Sequence, residues 1–150
     1  MITYKEVDKT FFELYDKVDM KVNVSSEYKV QRINNGLGGL LLEEVPVEPY
    51  VKDLGIFERA TDYEKEFDIT NCRFYMAYDG DIPVGAMTVL GTTEGINMLC
   101  GRKDACVLWD IRVSDAYKRK GIGQTLFNMG LQNAKRDGYK QMMIECQNNN

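Results

Sequence analysis

From Cys106 to Val113 the chain reads CVLWDIRV, apolar except at Asp110 and Arg112 and rich in β-branched and aromatic residues. Such a run predicts a strand buried on both faces. Ile122, Leu126 and Met129, then Phe127, Leu131 and Ala134, recur at helical spacing. The predicted helix stops at Lys135-Arg136-Asp137-Gly138, with cations in its last turn and glycine just beyond, as helix ends prefer. Apolar density returns over 139–146 (YKQMMIEC), which predicts another strand buried on both faces. A helix crossing between two strands of one sheet makes them parallel.

Upstream, Cys72 to Tyr78 and Val84 to Leu90 flank Asp79-Gly80-Asp81, a hairpin pattern with Pro83 beside the turn. Residues Met20 to Ile33 alternate in part and break at Ser25-Ser26. Leu40 to Val45 returns after the turn-forming Asn34-Asn35-Gly36-Leu37-Gly38-Gly39, so residues 20–47 predict a second hairpin, closed off by Pro46 and Pro49. Ile2-Thr3-Tyr4 fits a short strand, and Phe11, Phe12, Leu14, Tyr15 and Val18 form a helical or irregular apolar patch. Residues 91–105 have no period and read as a long loop. The order predicts one α/β domain over 1–150, with a mixed, mostly antiparallel sheet flanked by helices.

Composition narrows the function. A chain of 150 residues with 44% hydrophobic and 28% charged positions can bury a real core. Its net charge of −4 disfavours a general nucleic-acid binder. No apolar run reaches the length of about 18 residues that a membrane helix needs, and the first residues, MITYKEVDKT, do not resemble a signal peptide. Four cysteines without CxxC spacing fit reduced thiols and a cytoplasmic location. The chain has no histidine, which removes Ser-His-Asp and Cys-His hydrolases and most zinc sites, so no metal is expected. Nine acidic against three basic residues between Glu43 and Asp68 read as a solvated helix and loop, or as a wall that attracts a cationic substrate.

The candidate chemistry lies between the 106–113 strand and the helix. Lys118-Arg119-Lys120-Gly121-Ile122-Gly123 places cations and glycines at a helix start, where unpaired backbone N–H groups and the helix dipole favour an anion. It is no Walker loop, since no Gly-Lys-Ser/Thr follows a first glycine, and Leu126 and Phe127 stand where a dinucleotide fingerprint has its third glycine. An ordinary strand–helix turn with solvated lysines is the plain alternative.

Lys118-x-x-Gly121-x-Gly123, five residues beyond Val113, resembles the acetyl-CoA signature of the GNAT N-acetyltransferases, with lysine where that family usually has arginine or glutamine. Asp110-Ile111-Arg112-Val113 is similar to the family's fourth strand, 139–147 to its fifth, and Gln147-Asn148-Asn149-Asn150 to the segment opening its next helix. The resemblance implies a GNAT-like fold, truncated after the fifth core strand, that uses acetyl-CoA to acetylate a primary amine on a small molecule. The backbone N–H of Ile111 would polarise the thioester carbonyl, Val113 would pair with the pantetheine, and Lys118, Arg119, Lys120, Gly121, Ile122, Gly123 and Gln124 would hold the pyrophosphate, with Asn150 completing the cofactor set. Asp110 and Glu145 are the carboxylates expected to take the amine's proton, directly or through a water. Pro49-Tyr50-x-Lys52-Asp53 and Glu145-x-Gln147 are similar to streptothricin acetyltransferases, which makes Tyr50, Lys52 and Asp53 substrate candidates, with Trp109 as a platform or a core residue.

The family's thiolate-protonating tyrosine would follow Asn150, so low turnover is expected, together with a homodimer formed through the uncovered last strand. Two other classes stay open: a non-catalytic acyl-CoA binder acting through association, and a nucleic-acid binder using Lys118-Arg119-Lys120, which lacks interleaved aromatics.

Overall fold

The computed structural model describes residues 1–149. In chain order the elements are β1 (Ile2–Val7), α1 (Phe12–Tyr15), β2 (Lys21–Arg32), β3 (Leu40–Asp53), α2 (Tyr63–Glu66), β4 (Cys72–Asp79), β5 (Ile82–Leu90), β6 (Ala105–Val113), α3 (Ile122–Arg136) and β7 (Gln141–Ile144), joined by short 3₁₀ turns. They fall into two units, Met1–Met20 with Gly55–Ile144, and Lys21–Leu54 with the segment from Glu145 onward.

The first unit is a five-stranded sheet in the order β1-β4-β5-β6-β7, antiparallel except for the β6–β7 pair. The expected hairpin is β4–β5, turning at Gly80, whose φ is +60°. One face of this sheet carries α3, with Ile122, Leu126 and Ala134 packed on Tyr75, Met87 and Val89. Gly130 sets that distance: a Cβ there would stand 2.5 Å from Met87 Cε and 3.1 Å from Val89 Cγ2. The other face is an aromatic layer in which Phe12, Tyr15, Tyr63, Phe67 and Phe74 cover Met76, Ala86 and Val107. Phe12 meets Phe74 edge-on at 4.8 Å, a favoured aromatic geometry.

Three sequence expectations need correction. The segment 54–68 is not simply a solvated acidic helix, because Ala60, Tyr63 and Phe67 are buried in the aromatic layer while Glu64, Lys65, Glu66 and Asp68 face out. The last strand is short: β7 spans Gln141–Ile144, with Met142 and Met143 half-buried and both ends exposed, so it is not buried on both faces. Glu145 lies past it.

The second unit is built on the two-stranded hairpin β2–β3, with a register shift between Val24 and Ser26 where the sequence breaks at Ser25-Ser26. Here β3 runs through Pro46 and Pro49 to Asp53, rather than ending at the first proline. A two-stranded sheet gives every strand a free edge, and a proline whose missing N–H faces that edge removes no ladder bond. The turn holds Asn34 and Asn35 at φ +48° and +56°, a conformation asparagine tolerates better than most residues.

Candidate active site

Strand β6 changes partners midway. It pairs with β7 only from Ala105 to Leu108. Against β5, Thr88 faces Asp110 while Val89 faces Leu108, so Trp109 is an extra residue, a β-bulge. The bulge puts two consecutive side chains on one face: Trp109 packs on Phe67, with ring centroids 5.2 Å apart, and Asp110 meets Tyr15 and Tyr63. Leu108 and Ile111 turn to the α3 face. From Trp109 to Val113, β6 pairs with no residue of β7. Ser114 N donates to Val84 O at 3.0 Å, so its N–H points at β5. Strand alternation then turns the N–H groups of Ile111 and Val113 away from β5, to the open side.

The open side leads to the glycine turn. Arg119 and Gly121 both have positive φ, +62° and +81°. The first bond of α3 runs from Thr125 N to Gly121 O at 3.0 Å, and no side chain caps the helix. The N–H groups of Ile122, Gly123 and Gln124 therefore have no acceptor within the helix. They border a cavity of ≈ 400 Å³ that extends from Val113 and Tyr117 to Gln124. The two glycines serve different needs. At Gly121 a Cβ would meet nothing, and the constraint is its left-handed backbone. At Gly123 a Cβ would sit 3.6 Å from Val113 Cγ2, an ordinary contact. Lys118 pairs with Asp115 at 2.5 Å, and the Lys120 ammonium lies 4.7 Å from the Tyr117 ring centroid. A row of unpaired N–H groups, a left-handed glycine and a cationic rim fit a pyrophosphate, and the open strand edge fits an amide-bearing arm.

On the aromatic face lies a buried ion pair. Asp110 and Arg112 are each 3% exposed. Arg112 Nε donates to Asp110 Oδ2 at 2.9 Å, and Nη2 donates both to that oxygen and to the Glu58 carbonyl, the latter at 2.8 Å. Tyr15 donates to Asp110 Oδ1 and shares a 2.7 Å hydrogen bond with Thr88, while Tyr63 donates to Asp110 Oδ2 at 3.3 Å. Burial, then the negative charge of Asp110, pushes both tyrosines far above their ordinary pKa. For Arg112, burial works against the charge, but Asp110 outweighs it and holds the guanidinium protonated. The Asp110 side chain has no exposed surface.

The model of the Acetyltransferase (GNAT) family matches residues 34–150. The chain belongs to this family. Among curated proteins, none matches the sequence. Among solved structures, a nourseothricin acetyltransferase superposes with a TM-score of 0.72 at 21% identity, covering 99% of this chain and 75% of that one. A protein described as a streptothricin acetyltransferase of Bacillus anthracis str. Ames, in complex with acetyl coenzyme A, gives 0.72 at 19% identity, covering 100% and 77%. AAC(6')-Iy in complex with the bisubstrate analog CoA-S-monomethyl-acetylneamine gives 0.57 at 12% identity, covering 98% and 80%. At these identities the likeness is one of fold. GNAT acetyltransferases use acetyl-CoA, and the open edge and glycine turn of this member fit that cofactor.

In this GNAT chain one candidate escaped the sequence reading. Glu58 is half-buried, with its backbone tied to Arg112. Its carboxyl is pushed above the usual carboxylate range by burial, then by the negative charges of Asp110 and Glu66, against an opposing pull from the Trp109 N–H. That N–H is buried and has no partner in hydrogen-bond geometry, and Glu58 is the carboxyl it faces. In the sequence Glu58 was one of nine acidic residues in the 43–68 stretch, with nothing local to single it out.

The remaining candidates lie in the second unit. There the segment after β7 binds the hairpin: Tyr28 N donates to Asn148 O at 2.8 Å, and Asn148 Nδ2 returns a bond to Tyr28 O at 3.1 Å. Lys52 Nζ donates to Gln147 and, at 2.8 Å, to Asn149 Oδ1, while Asn149 Nδ2 donates to Tyr50 Oη at 2.9 Å. Tyr50 and Lys52 are thus gathered by their own chain. Asp53 ends β3 opposite Lys21, and Glu145 is exposed. Asn150 lies outside the described residues.

Proposed function

We propose that this protein transfers an acetyl group from acetyl-CoA to a primary amine of a small, polycationic molecule of the streptothricin or aminoglycoside kind. The single observation that carries this reading is the bulge at Trp109, which opens β6 beside Ile111 and leads into the glycine turn. When bound, acetyl-CoA supplies the activated acetyl group. The N–H of Ile111 polarises the thioester carbonyl, and the N–H of Val113 holds the pantetheine arm. Arg119 to Gln124 receive the pyrophosphate on backbone N–H groups, with Lys118 and Lys120 adding charge.

Of the two carboxylates expected to take the proton, Asp110 is enclosed and bonded by Arg112, Tyr15 and Tyr63. We assign it to holding Arg112 and the bulge. Glu145, exposed beyond β7, is assigned no step. Tyr50 and Lys52 are read as anchors for the Gln147–Asn149 segment, Asp53 stays a substrate candidate, and Trp109 borders the acceptor. We further infer a cytoplasmic enzyme that dimerises through the open edge of β7. No helix among the described residues is long and apolar enough to cross a membrane.

Calorimetry with CoA, followed by an acetylation assay over streptothricin, aminoglycosides and lysine-containing peptides, tests the reading. Micromolar CoA binding and turnover of at least one cationic antibiotic are expected. Binding without turnover of any amine sinks the enzymatic reading, and no binding sinks the cradle as well. Light scattering at micromolar concentration checks the dimer.

A further inference from the structure

We propose that Glu58, oriented by the indole N–H of Trp109, is the catalytic residue that receives the acceptor amine's proton, and that Glu58 and Glu66 together draw the ammonium to the bulge. This rests on the acetyltransferase reading above.

The chain has no histidine. Burial pushes the thiols of Cys72 and Cys106 up to about 11, and the Tyr75 hydroxyl to about 12. Tyr15 and Tyr63 are displaced further in the same direction, and their hydroxyls already donate to Asp110. Asp110 is sealed. A base for an amine arriving from solvent must be reachable, and it works best when its pKa lies nearer the operating pH than an ordinary carboxylate's.

Glu58 meets both conditions. It is half-buried, and its backbone carbonyl is fixed by Arg112, two residues along β6 from Asp110 and next to Ile111. The charged and titratable groups that act on it are Asp110 and Arg112 from β6 and Tyr63 and Glu66 from α2, with the Trp109 N–H as the neutral donor. Its sequence neighbour Arg59 turns elsewhere, to Asp16 at 3.8 Å. Three carboxylates against one guanidinium leave a negative field that favours a cation. Its chain neighbours Ile56 and Phe57 are 65% and 75% exposed, apolar surface available to a bound acceptor. The Trp109 N–H, buried at the bulge, is outside strict hydrogen-bond geometry yet near enough to act on the Glu58 carboxyl, and an unsatisfied buried donor is costly to leave.

The step balances as follows. The ammonium gives one proton to the Glu58 carboxylate, and the freed nitrogen lone pair forms the C–N bond to the acetyl carbon. The C–S bond breaks with its electron pair going to sulfur, and the second nitrogen proton passes to that sulfur as the amide forms. Glu58 then returns its proton to solvent.

The sole tryptophan of the chain makes the test direct. In the intact protein, Trp109 fluorescence is expected to titrate above the ordinary glutamate range, and Glu58→Gln is expected to abolish that titration. In the acetylation assay, Glu58→Gln should lower kcat/KM by roughly 10²- to 10⁴-fold and remove the acid limb of the pH–rate profile. Its affinity for CoA should be unchanged. Glu58→Asp should recover part of the rate, and Trp109→Phe should shift the acid limb. Wild-type turnover with the same pH profile in Glu58→Gln, or a Trp109 titration that survives that substitution, overturns the assignment while leaving the acetyltransferase reading intact. Absence of wild-type turnover with every amine overturns both.

Discussion

The two ends of the open stretch of β6 are charged in opposite ways. At the glycine turn the positive groups are exposed side chains and backbone N–H groups, all within seven consecutive residues. At the bulge the ion pair is buried, and the groups around it come from four separate stretches of chain: Tyr15, Glu58 with Tyr63, Thr88, and Asp110 with Arg112. An anion made in bulk can be met by local backbone geometry. A polarised reaction centre needs dipoles held in place before the reaction, and only tertiary packing can hold them.

If that contrast holds, the largest effect belongs to the buried pair. Arg112→Met leaves Asp110 enclosed without its counter-charge and should cost about 3–5 kcal/mol in denaturant unfolding. A loss below about 1 kcal/mol, typical of an exposed pair, would erase the distinction between the two ends. Next comes Gly121→Val. A left-handed backbone costs a non-glycine residue roughly 1–2 kcal/mol, so CoA affinity measured by calorimetry should fall about tenfold. Unchanged affinity would show that the turn's backbone does not form the cradle.

A third prediction sharpens the acceptor end through pH. The Glu58 carboxyl is raised on folding, so folding takes up protons there. Its contribution is most favourable below the ordinary glutamate pKa and is lost as pH rises through the folded value. Glu58→Gln should therefore raise Tm at pH 7, with the gain shrinking toward pH 4, a group kept for activity at the expense of stability. A Tm gain that does not change with pH would mean that the carboxyl is not strained. The smallest effect is expected at Gly123→Ala, whose methyl meets Val113 at an ordinary distance; stability should stay within about 0.5 kcal/mol and CoA affinity within twofold. A large loss would show that the cofactor, rather than the protein, occupies that space.

The same contrast explains what could be read from the sequence. The turn was legible because its signals are local: glycines at fixed offsets, cations, then a helical period starting at Ile122. The β4–β5 hairpin and the parallel β6–β7 pair were legible for the same reason, as turn chemistry and alternation within a few residues. The bulge was not, because Trp109 looks like one more apolar residue in an apolar run, and only its register against Thr88 and Val89 exposes it. Asp110 was singled out for its position beside Ile111, yet its surroundings of Tyr15, Tyr63 and Arg112 depend on contacts 95 and 47 residues away as well as on its own strand. Glu58 was hidden by its acidic neighbours, while Tyr63 and Phe67 disappeared into a segment whose charge drew attention from its aromatic spacing. The full length of β3 was not legible, because Pro46 and Pro49 look like a strand end and nothing local shows that this strand keeps a free edge.

Trp109 has a further consequence as a matter of phase. Up to Leu108, β6 alternates between the helix face and the aromatic face; the bulge inserts one half-period, and alternation resumes unchanged from Asp110. Removing Trp109 alone would leave Leu108, Asp110 and Ile111 on the faces they now occupy, whereas removing a residue outside the Trp109–Asp110 doublet would invert one side of the strand. The opening and the core are thus written in separable letters. A regular strand and a bulged one differ here by a single residue, and Asp110 keeps its face in both.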